Sequence, residues 1–216
     1  MDEIENKQYF KKLKAANILF LIGQVCIIAS IFSTASKFKF FPRWIENFVV
    51  FAILGFILFF IASLLVRKHN KSFVYALITD GLMVSMSLVG AICETSNDGL
   101  YRAWATGLNW SLDILLLIFY YYYFQAAHLV FEEHSDIEKH SKTKIACLVF
   151  CSFSVTNLIL KLVGKMSFIS RNIIANRIFS YGTWILDFVI CFFALIIAIN
   201  ILIGTIKMKK EDSHHE

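Results

Sequence analysis

The chain reads as an all-α, polytopic integral membrane protein: six transmembrane helices arranged as three antiparallel hairpins, with both termini cytoplasmic. Three observations predict this. Hydrophobic residues fill 58% of 216 positions, with one proline and nine glycines, whereas a soluble domain is roughly half apolar. Six apolar stretches, at 15–32, 48–66, 73–93, 104–124, 145–164 and 183–206, meet or approach the about 20 residues a membrane helix needs. Basic residues gather between the stretches, 13 on the side that holds both termini and 7 on the other, or 8 with Lys161 of the fifth stretch, and this asymmetry sets orientation. The formal charge of +5 is accounted for by that orientation, so no nucleic-acid partner is expected. The bilayer is the expected environment, and composition does not assign the compartment.

The expected layout is a basic cytoplasmic N-terminus at 1–14, one membrane domain at 15–206 and a cytoplasmic tail at 207–216. Lys11, Lys12 and Lys14 precede the first span, and Ser33, Thr34 and Ala35 after it resemble a signal-peptidase site. Its apolar run of 18 residues exceeds the about 7–15 of a signal peptide, so the first helix is expected to be retained. Between Phe48 and Val66 only Ser63 is polar, which turns the second span, and much of the first, towards lipid.

The later spans carry polar arcs at about 100° per residue. The third aligns Ala76, Asp80, Ser87, Ala91 and Glu94. After the turn signals Ser96, Asn97, Asp98 and Gly99, the fourth aligns Thr106, Asn109, Asp113 and Tyr120. The fifth gathers Cys147, Cys151, Ser154, Asn157, Lys161 and Lys165. The sixth gathers Thr183, Asp187, Cys191, Ala194, Ala198 and Thr205. Stripes of small residues also let membrane helices approach closely, and that is the preferred reading of Cys191, Ala194 and Ala198. Tyr120 to Tyr123 read as an inner aromatic belt, and the mixed charges between Phe131 and Lys144 as a solvated helical extension.

Trp44, Trp110 and Trp184 each open an even-numbered span, as interfacial tryptophan does. An acid follows three residues after Trp110 and Trp184, at Asp113 and Asp187. That spacing is compatible with a threefold repeat of one hairpin.

Four ionisable groups fall at membrane depth: Asp80, Asp113, Lys161 and Asp187. Each costs on the order of 3 kcal/mol to insert, so each needs a partner, a wet cavity or a function. The alternating topology puts Asp113, Lys161 and Asp187 in the outer half, where Lys161 can pair with an acid but cannot neutralise both. Asp80 stands alone in the inner half, about 10 Å in from the helix end. Together with Ser87 and Asn157 these residues form the candidate translocation site.

Several chemistries are excluded. The stretch Asp98, Gly99, Leu100, Tyr101, Arg102 resembles the opening of the CDP-alcohol phosphotransferase signature. Its arginine is one position early and the later acid pair is absent, so two-metal chemistry cannot be built. The six histidines lie near or beyond span ends, against intramembrane serine chemistry and b-type haem. The pair His134 and His140 has the wrong spacing for one helical face. No phosphate loop or zincin pattern occurs, and five cysteines inside predicted helices read as packing residues. No catalytic set, metal or cofactor is therefore expected. The leading expectation is a small transporter or channel-like protein moving a proton, cation or small solute along a seam of spans three to six. The alternatives are a membrane-organising subunit, which would bind another membrane protein or a second copy, and a membrane-embedded lipid enzyme.

Overall fold

The computed structural model describes residues 3–35, 49–94, 99–133, 137–165 and 172–212. Six helices occupy nearly all of them: α1 Glu3–Ala35, α2 Val49–Val66, α3 Lys71–Glu94, α4 Gly99–Glu133, α5 Ile137–Gly164 and α6 Ile173–Asp212. No strand occurs among the described residues. Five of the six are long and apolar enough to cross a bilayer, and α2 contributes the shorter apolar stretch Val50–Val66.

The helices outrun the predicted spans. α4 continues through Phe131 to Glu133 and α5 starts at Ile137, so most of the charged 131–144 segment is helical. α6 starts ten residues before the predicted span because Asn172 caps it: its side-chain oxygen accepts from the amides of Ile174 and Ala175, both at 3.1 Å. Asparagine in that position satisfies amides that the first helical turn leaves unpaired. Asn70 does the same for α3, accepting from the Ser72 amide at 2.9 Å.

Each helix packs on its neighbours in chain order, and α1 closes the circle against α6. The outside of this ring is apolar. On α2, for example, Val50, Phe51, Leu54, Ile57, Ile61 and Leu64 are exposed, an arrangement that soluble proteins avoid and lipid favours. Hydroxyls on outward faces bond to their own helix, as Ser152 does to the Leu148 carbonyl and Thr156 to the Ser152 carbonyl, both at 2.9 Å. Such a hydroxyl carries no unsatisfied donor into hydrocarbon.

The ring is filled at one level by eight aromatic side chains, each no more than 1% exposed: Phe20, Phe59, Phe73, Phe119, Tyr120, Tyr123, Phe124 and Phe150. Phe20 stacks on Tyr123 with centroids 4.1 Å apart, and Phe59 on Phe119 at 4.9 Å. Phe150 meets Tyr120 edge-on at 5.1 Å. Tyr120 and Tyr123 are therefore part of the interior and not the aromatic belt that the sequence suggested. Tyr121, on the opposite face, is 47% exposed.

The turn between α2 and α3 holds a titratable contact outside the spans. His69 meets Tyr9 edge-on at 4.3 Å, and burial, reinforced by Lys12, holds its imidazole below the usual 6.5. A base whose folded-state value is depressed leaves the unfolded chain binding more protons once pH falls below the unfolded value. Stability from this contact is thus complete above about pH 6.5 and is lost as pH falls from there towards the folded-state value. The thermal midpoint should drop between about pH 7.5 and about pH 5.5, and the drop should shrink in His69→Gln; equal drops would remove His69 as the cause.

Candidate functional site

Beside the aromatic layer lies a cavity of about 740 Å³, within the 300–1,000 Å³ typical of small-molecule sites. It is lined by the later turns of α1, α3 and α5 and the earlier turns of α2, α4 and α6. The sequence placed the polar interior in spans three to six. The structure corrects this: Ile27 and Ser30 of α1 and Ala52 and Phe56 of α2 complete the wall.

Three of the four intramembrane charges meet in that wall. The Lys161 ammonium on α5 lies 2.8 Å from Asp113 Oδ2 on α4 and 2.9 Å from Asp187 Oδ1 on α6. Asn157, one turn earlier on α5, donates from Nδ2 to the same Asp187 oxygen at 2.7 Å. Lys161 therefore ties both neighbouring helices to α5. The side chains remain partly open, 19% for Lys161, 38% for Asp113 and 32% for Asp187. Two carboxyl groups thus share one lysine, and the excess acid faces the cavity.

Ser87 also lines the cavity, with its hydroxyl given to the Val84 carbonyl at 2.9 Å. Trp110 is in the lining as well. Trp184 donates its indole N–H to the Ile31 carbonyl at 3.1 Å, which fastens α6 to α1. Trp44 and Pro42, the turn residues Ser96 to Asp98 and His134 lie outside the described residues. So do the side chains of Glu94, Thr106, Asn109 and His140.

Asp80 does not join the cluster. It lies seven residues before Ser87 on α3, about 10 Å along the axis. It is fully buried and neither carboxyl oxygen has a hydrogen-bond partner among the described residues.

Two residues missed in the sequence hold the interior together. Gln24 on α1, fully buried, donates to the Cys191 carbonyl of α6 at 2.8 Å and accepts from the Tyr120 hydroxyl of α4. Asn17, two turns earlier, donates to Thr205 Oγ1 and accepts from the Tyr123 hydroxyl, both at 3.0 Å. Each amide spans three helices, and leaving one such buried group unpaired costs about 1–3 kcal/mol. The seven-residue spacing of Asn17 and Gln24 puts them on one face of α1, which was the available signal.

Next to the cluster, Ser154 Oγ and Asn157 Oδ1 are buried without partners among the described residues, so the wall holds hydrogen-bonding capacity in reserve. Among the described residues no group of three or more His, Cys, Asp or Glu is placed to hold a metal ion. Comparison with known protein families, with curated proteins and with solved structures returns no match to this chain.

Proposed function

We propose that this is a six-span membrane transporter whose cavity binds a small cation. The observation that carries the reading is the Asp113, Lys161 and Asp187 cluster set in the wall of a cavity that all six helices line. A monovalent cation would neutralise the surplus carboxylate, and the aromatic wall of Trp110, Tyr120, Phe56 and Phe150 suits an organic ammonium ion. The alternating use of helix ends around the cavity supports antiparallel neighbours, and the place of α2 in the ring supports its spanning with the others. The positive-inside asymmetry then puts both termini in the cytoplasm and the cavity in the opposite half.

In this reading the aromatic layer is the closed barrier beneath an accessible vestibule, and Lys161 bridges the two carboxylates until a cation competes for one of them. A dry, close-packed bundle would favour an assembly subunit; a cavity with a charged wall favours solute binding. The test is uptake into proteoliposomes of radiolabelled sodium, potassium, choline and ethanolamine. Uptake of at least one should exceed that of protein-free vesicles and be lost in Asp113→Asn/Asp187→Asn. Wild-type, variant and empty vesicles behaving alike for all four would overturn the reading.

A further inference from the structure

Asp80 has no role in the cavity cluster, and its surroundings are unusual for an acid. Its residue exposure is zero and both oxygens lack hydrogen-bond partners among the described residues. α3 packs on α2 and α4. Between Val49 and Val66, α2 offers no ionisable side chain. From α4 comes Tyr120, whose hydroxyl is committed to Gln24, while that of Tyr123 is committed to Asn17. His128 lies eight residues further along α4, more than two turns away. On α3 itself Tyr75 is 49% exposed, and the basic residue is Lys71 at the helix start.

An ionised carboxylate without a donor or counter-ion in such a place is strongly disfavoured, so the acid is neutral here. A neutral acid placed for helix packing alone would use its hydroxyl on a neighbour, as Gln24 and Asn17 use their amides. Asp80 leaves its bonding capacity unused, two turns along α3 from Phe73 of the aromatic layer and two turns from Ser87 of the cavity wall.

We propose that Asp80 is a proton-carrying site inside the barrier, loaded in the closed conformation and released when the layer opens, so that solute movement is linked to proton movement. This rests on the transport reading above. The chemistry is a simple exchange: the carboxyl O–H bond breaks, the proton passes to water admitted by the opening layer, and the negative charge stays on Asp80 until the next proton arrives. Tyr120 joins the layer to the cavity, because its ring lines the cavity and its hydroxyl is bonded to Gln24.

Infrared difference spectroscopy on the full chain in lipid nanodiscs reads a protonated carboxyl through its C=O stretch. The expected result is a band present at neutral pH and lost as pH is raised, displaced in D2O, absent from Asp80→Asn and moved in Asp80→Glu. Asn has the shape of the protonated acid and should fold; if it does not, the band shift in Asp80→Glu alone makes the assignment. A spectrum that is the same in wild type and both variants overturns the proposal. So does an Asp80 band that neither titrates nor exchanges with D2O, since that marks a sealed structural acid.

Linkage is read separately. An imposed proton gradient should change cation uptake several-fold in wild-type proteoliposomes and leave Asp80→Asn unaffected; equal responses overturn the linkage. Loss of cation uptake as a phenomenon, with a titrating Asp80 band intact, would instead overturn the transport reading and leave the proton site standing.

Discussion

Lys161→Met is expected to destabilise the bundle by about 2–3 kcal/mol, the largest effect of any single charge removal. Removing one partner of a fully buried pair costs about 3–5 kcal/mol because it strands the other charge. Here two carboxylates are stranded beside each other, yet about a third of each is open to the cavity, and hydration reduces the cost. Asp113→Asn should be far milder, about 0.5 kcal/mol or less, because Lys161 keeps Asp187 and the surplus charge disappears. Combining Lys161→Met with Asp113→Asn and Asp187→Asn should recover most of the lost stability. Thermal midpoints of the purified variants measure all three. If Lys161→Met and Asp113→Asn proved equally damaging, the lysine would not be holding two acids at once.

The second large effect is expected where α1 crosses α2. A Cβ on Gly23 would lie 2.8 Å from the Phe59 ring and 3.0 Å from the Gly55 carbonyl; one on Gly55 would lie 2.8 Å from Ile27 and 3.0 Å from the Gly23 carbonyl. The reciprocal contact is with backbone, which cannot swing aside, so the two helices must separate. Close approach through small residues is a main source of attraction between membrane helices. Gly55→Ala should cost about 1–2 kcal/mol, and Gly55→Leu about 3 kcal/mol, with Phe20 and Phe59 losing their stacking. Gly107 and Gly182 have open space at the same position, so alanine there should be neutral or stabilising by up to about 1 kcal/mol through helix propensity. Matching losses at all four glycines would argue against a crossing point.

The outer charges were legible because depth along a membrane helix follows directly from residue number. Asp113, Lys161 and Asp187 count to the same level on three helices, and they meet there. The polar arc of α3 was legible for the same reason: Ala76 and Asp80 are buried, and Ser87 and Ala91 line the cavity. Periodicity identifies a face but not its neighbour. Gln24 and Asn17 are lone amides on an otherwise apolar face, and their value comes from Tyr120, Cys191, Tyr123 and Thr205, far away in the chain. α2 looked lipid-facing because aromatic side chains serve lipid and core equally well. Only packing separates Phe59, buried in the layer, from Ile57 and Ile61, exposed outside it.

The closure of the ring by α1 against α6 has a consequence for biosynthesis. Gln24 and its carbonyl partner at Cys191 are 167 positions apart, and Asn17 and Thr205 are 188 apart. At about 5–20 residues per second of synthesis, the first helix waits roughly 8–38 s for the last. Throughout that interval two amide side chains face lipid or an insertase without their final bonds. A chain that stops before α6 would lack Cys191 and Thr205, and with them the α6 partners of both amides.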